Sequence, residues 1–131
     1  MPILFLLLLL PGCQSQVSLH VIVHNVQIGK GSINVALFAN KKDFLKTPVT
    51  SQIKKADQVT MEFDFTVPPG DYAIAAYQDL NENKKLDAGL FHIPKEPYGF
   101  SNDYRPKMSA PDFEDCRIRI TWAITSIIHL K

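Results

Sequence analysis

The sequence predicts an all-β fold, an antiparallel β-sandwich with one long irregular loop region, and three observations carry that reading. Val59, Met61, Phe63, Phe65 and Val67 alternate with Thr60, Glu62, Asp64 and Thr66, the period-two pattern of a strand with one buried face. The same alternation recurs in at least four other stretches, and no stretch repeats at helical spacing. Pro and Gly clusters punctuate the runs, as hairpin-style connections require.

Val17 to Val26 is the first predicted strand: Val17, Leu19, Val21 and Val23 share one face, and Ser18, His20, Ile22 and His24 the other. Ile28, Gly29, Lys30 and Gly31 form a turn, and Ile33, Val35, Leu37 and Ala39 mark a second strand. Asn40 to Gln58 breaks the rhythm with Lys41, Lys42, Lys46, Lys54, Lys55 and Pro48, and reads as a surface crossover in which Asp43 caps a helical turn. After the Val59–Val67 strand, Pro68, Pro69 and Gly70 predict a tight hairpin into a strand over Asp71–Asp79. Pro106 and Pro111 exclude a regular central strand between Asn102 and Asp115. Cys116 to Leu130 then alternates without a turn residue, which predicts one long strand with Cys116, Ile118, Ile120, Trp122, Ile124, Ser126, Ile128 and Leu130 facing inward.

A chain of 131 residues with 46% hydrophobic content supports one core and one domain, placed at 14–131. A formal charge of +1 gives no electrostatic case for a nucleic-acid partner. Residues 1–13 read as a secretion signal, because the apolar run Ile3–Leu10 is far shorter than the roughly 20 residues that span a bilayer. Leu10, Pro11, Gly12 and Cys13 resemble the lipobox of bacterial lipoproteins, which makes Cys13 the expected lipidation site and the membrane a partner through that anchor. No Lys or Arg precedes the run, and Pro11 is unusual in a lipobox. The expected location is the bacterial cell envelope, exported and outer-membrane-anchored, facing periplasm or surface. The alternative use of Cys13 is a disulfide with Cys116; otherwise Cys116 is a small core residue.

The densest chemistry lies in Asp79–Asn102. Asp79, Asn81 and Asn83, the carbonyl of Lys85, and Asp87 fall at alternating positions of a calcium-type loop, with oxygen donors suited to a hard cation. Lys84 stands where that loop favours Gly, and Leu90 where it places a bidentate carboxylate, so Glu96, Asp103, Glu114 or Asp115 would have to close the shell. The competing reading is a metal-free turn held by Asx side chains bonded to nearby amides. His92, Glu96, Tyr98, Phe100, Asn102 and Tyr104 are candidate ligand contacts, against the reading that the aromatics plug the end of the core. His20 and His24 share a face and read as surface histidines, with His92 and His129 scattered.

The run PPGDYAIAAYQDLNENKKLD, then GLFHIPKEPYGFSN and APDFED, resembles the DUF2141 family of bacterial exported proteins, closely over Pro68–Asp115 and through GSINVALF before it. In that family the loop carries glycines where this chain has Glu82 and Lys84. The resemblance implies a prealbumin- or transthyretin-like sandwich exported to the envelope, and no assigned activity.

Three function classes follow as expectations. The first is a non-catalytic envelope module, monomeric, binding an envelope protein or glycan through the 79–104 region, with calcium as its one candidate cofactor. The second is a small hydrolase using His92 with Glu96 or Asp103 as acid and base. The third is an assembly subunit pairing through a strand edge.

Overall fold

The structure, a computed structural model, describes residues 15–82, 96–107 and 109–131. The strands among these residues are β1 (Val17–His24), β2 (Ser32–Phe38), β3 (Thr50–Lys55), β4 (Met61–Val67), β5 (Gly70–Asp79), β6 (Tyr98–Phe100), β7 (Ile118–Ile120) and β8 (Ile124–His129). A 3-10 turn at Ser101–Asp103 and one helical turn, α1 (Phe113–Cys116), lie between β6 and β7. One sheet has the order β4-β1-β8; the other has β3-β2-β5-β6, with β7 pairing the start of β5. The two pack face to face as a sandwich.

The predicted alternation sets the inward faces. Leu19, Val21 and Val23 of β1, Phe63 and Phe65 of β4, Ile33, Val35 and Leu37 of β2, and Ile74 and Ala76 of β5 meet in one cluster with Ile120, Ile128 and Leu130. Phe38, Phe44, Ala73, Phe100, Phe113 and Cys116 form a second, outside the β5 sheet. Among the described residues, both clusters are drawn from the stretch between Leu19 and Leu130.

Four expectations are corrected. The Pro68–Gly70 connection is not a hairpin: β4 pairs with β1, and β5 with β2, so the chain crosses between sheets there. Consecutive prolines lack the N–H and the positive φ of a two-residue hairpin turn, and the crossover lets both apolar faces address one core. The 40–58 crossover contains β3, hidden from periodicity because its side chains are mostly exposed lysines and polar residues. The predicted 116–130 strand is α1, β7 and β8. Its 121–123 bend moves the chain from β5 in one sheet to β1 in the other, and period two survives on both sides of such a bend. Trp122 therefore points outward, 73% exposed. Finally, β8 runs parallel to β1, whereas the other strand pairs among the described residues are antiparallel.

Both lateral gaps between the sheets are bridged. On one side, Gln52 Nε2 and Lys54 Nζ of β3 donate to the Asp64 and Glu62 carbonyls of the edge strand β4, at 2.6 and 2.7 Å. On the other, Tyr98 of β6 exchanges backbone hydrogen bonds with Lys131, and Arg105 donates to the Tyr98 and His129 carbonyls. Side chains and the C-terminus thus occupy edges that would otherwise offer unpaired backbone groups.

Candidate functional site

β5 ends in the run that begins the predicted ion loop. Asp79 is buried at the strand end, whereas Leu80, Asn81 and Glu82 are exposed, with Glu82 at φ 54. Glu96 returns to this stem: it is 5% exposed, and its Oε2 accepts the Leu80 amide at 2.7 Å. Asp79, Asn81 and Glu96 are therefore brought to one end of β5. Asn83, Lys85, Asp87 and His92 lie outside the described residues, as does Cys13. Among the described residues, no group of three or more His, Cys, Asp or Glu is placed to hold a metal ion. The oxygen donors of Asp79, Asn81 and Glu96 suit calcium chemically, but they supply only part of a shell.

Beside this stem lies an open cleft of about 600 Å³, lined by the 28–31 turn, Lys55–Asp57 and Leu80–Glu82. The cleft is built by close backbone approach. Gly31 sits at φ +64, and a Cβ there would overlap the Asp79 carbonyl, so only glycine lets the turn lie against β5. Gly29 N and Ala56 N donate across the turn to Ala56 O and Gly31 O. Gln78, fully buried, holds the turn from below through Gln27 and Lys30. Ile28 is 60% exposed and Leu80 37%, giving an apolar wall; Lys55 adds a cation, and Asp57 and Glu82 add carboxylates. Such a surface can take an amphipathic ligand. The sequence marked Gly29 and Gly31 as a turn, but nothing in it signalled that Ile28 and Leu80 line one cleft.

The other candidates lie elsewhere. Phe100 is buried in the second core cluster, and Tyr98 and Tyr104 pack half-buried against it, so these rings fill space between β6 and α1. Partial burial, followed by the nearby Asp115 carboxylate, pushes the Tyr104 phenol up. Asn102, at φ 63, donates to the Arg117 carbonyl and fastens the 3-10 turn. Asp103 binds His129, its Oδ2 2.6 Å from Nδ1 and its Oδ1 accepting the His129 amide at 2.9 Å. Burial would raise the Asp103 pKa, yet those His129 bonds and the Arg105 charge together lower it. Glu96 and Asp103 thus serve different neighbours.

His129 is not scattered. Its ring stacks on His24 at 4.9 Å, while His24 Nδ1 lies 3.1 Å from Thr60 Oγ1. The parallel β1–β8 register, His24 opposite His129, creates this pair. Further along β1, His20 Nδ1 lies 2.5 Å from Asp64 Oδ1, and Nε2 lies 3.1 Å from Glu62 Oε1. The Asp64 and then the Glu62 hydrogen bonds raise the His20 pKa against a small opposing effect of burial.

Residues 21–128 match a family described as an uncharacterized protein conserved in bacteria, DUF2141. No curated protein and no solved structure matches the chain.

Proposed function

The chain belongs to the DUF2141 family, and from that premise we propose that it is an exported, lipid-anchored, non-catalytic β-sandwich module that binds a ligand at the end bearing Leu80–Glu82. The cleft between the 28–31 turn and Leu80–Glu82 carries this reading. It opens at the opposite end of the sandwich from Val17, where the N-terminal segment joins. The ten residues of β5 separate the two ends by roughly 30 Å. A module anchored through Cys13 would then present its cleft away from the bilayer.

The apolar wall of Ile28 and Leu80 beside Lys55 favours an amphipathic anion or an acidic segment of an envelope partner. Calcium is the proposed ion of the Asp79 stem, with Asp79, Asn81 and Glu96 as the described donors. It would brace the connection rather than take part in chemistry.

Anilinonaphthalenesulfonate, an amphipathic anion, probes the cleft. Fluorescence enhancement that Leu80→Asp abolishes at an unchanged melting temperature supports the reading; equal enhancement in that variant contradicts it. Lipidation is tested separately, by the mass of the N-terminal peptide from cell envelopes against a Cys13→Ser control.

A further inference from the structure

The end of the sandwich opposite the cleft has its own character. The pairs Val17 with Val67, Phe38 with Ala73, Gly70 with Ile120 and Leu19 with Ile124 place three connections together there: 39–49, 68–69 and 121–123. These connections expose Trp122 at 73%, Val49 at 55% and Leu45 at 40%, with Pro48, Pro68 and Pro69 also exposed. Leu45 is held outward by the fold: its backbone lies at φ 62, and its neighbour Phe44 turns inward to pack edge-on against Phe38 and Phe113. A leucine in the left-handed region is uncommon and persists only where the surroundings impose it.

The charge at this end complements the exposed apolar groups. Lys41, Lys42 and Lys46 are exposed on the 39–49 connection. The one carboxylate within it, Asp43, accepts a bond from Asn40 Nδ2. Arg119 lies beside the 121–123 bend and pairs with Asp71. The N-terminal segment, with apolar Ile3–Leu10 and Cys13, joins the described chain at this same end, just before Val17.

We infer that this end docks on an anionic lipid surface, with Trp122, Leu45 and Val49 at the headgroup boundary and Lys41, Lys42 and Lys46 against the headgroup phosphates. Indole is amphipathic and settles at the membrane interface, where one side is apolar and the other wet. Lysines near an anionic leaflet are attracted within about a Debye length, roughly 8 Å at physiological salt. An N-terminal tether would hold them inside that range and turn a weak contact into a persistent one. The inference relies on the lipid-anchored reading only to bring this end to a bilayer.

A chemical tether tests it independently. Residues 13–131, which include both core clusters of the described residues, are coupled through Cys13 to a maleimide lipid in vesicles; Cys116 does not compete, being fully buried with its thiol pushed up to about 12. Trp122 is the one tryptophan of the chain, so its emission reports this end alone. On vesicles of phosphatidylcholine with phosphatidylglycerol, the emission is expected to shift to the blue and to be quenched by brominated acyl chains several-fold more than on phosphatidylcholine alone. The triple variant Lys41→Glu, Lys42→Glu, Lys46→Glu, folded by circular dichroism, is expected to lose that difference. Unchanged emission on anionic vesicles, an equal shift on neutral ones, or a full response from the triple variant overturns the inference. Because the tether replaces the natural anchor, failure to dock is distinguishable from failure of Cys13 to be lipidated.

Discussion

Gln78 Oε1 accepts the Gln27 amide at 2.9 Å, while Gln78 Nε2 donates to the carbonyls of Gln27 and Lys30 at 2.7 and 2.6 Å. One fully buried side chain of β5 therefore satisfies three backbone groups of the turn that forms a wall of the cleft. Replacing it with Leu keeps the volume but leaves those groups without their partner. Gln78→Leu is expected to lower stability by about 2 kcal/mol, read in a denaturant titration. Hydrogen exchange at the Gln27 amide should quicken more than at core amides of β1.

The two carboxylates flanking His20 give stability a pH dependence. Because the folded pKa lies above the unfolded value, the contribution is fully present below about pH 6.5 and fades as pH rises through the raised value. The stability gap between wild type and His20→Gln should therefore be widest below about pH 6.5 and narrow as pH rises through the raised value. An NMR titration of the His20 ring should give a midpoint above that of a free histidine. A gap that widens with rising pH would contradict the assignment.

Cys116 lies among Phe38, Phe44, Phe100 and Phe113, and burial, with a smaller effect from Asp115, pushes its thiol up to about 12. At about pH 8 almost no thiolate forms. Reaction with an aromatic disulfide reagent should proceed at the rate of global unfolding and become immediate in denaturant.

Two aromatic truncations should separate the true core from its outer surface. Phe63→Ala, at a fully buried position of β4, should cost about 3 to 5 kcal/mol. Trp122→Ala should fall within about 0.5 kcal/mol of wild type, since its ring is mostly in water. Thermal melts of both variants check the pair.

That contrast marks where the sequence is legible. The inward rows of β1, β2, β4 and β5 follow directly from alternation, because burying one face of a strand forces period two. Alternation does not encode which strand pairs with which. It could not reveal that β4 and β5 lie in different sheets, nor that the chain changes sheet at Trp122, where no Gly or Pro marks the bend. Strand β3 escaped because an edge strand with exposed lysines needs no apolar row. At the candidate site, donor spacing marks Asp79 and Asn81 only as candidate oxygen donors. That Ile28 and Leu80 line one cleft, and that His24 stacks on His129, follows from how distant segments are brought together and has no local signature.

The Asp79 stem as a calcium-braced binding end is tested most directly by following backbone amides of the folded domain during calcium titration. The Leu80 amide, bound to Glu96 Oε2, and the Asn81 amide should shift progressively and saturate within about 10 mM, above the weak range of extracellular calcium modules. The melting temperature should rise in parallel, and Asp79→Asn should abolish both effects. Resonances of Leu80 and Asn81 that stay fixed throughout the titration, with an unchanged melting temperature, would contradict the account.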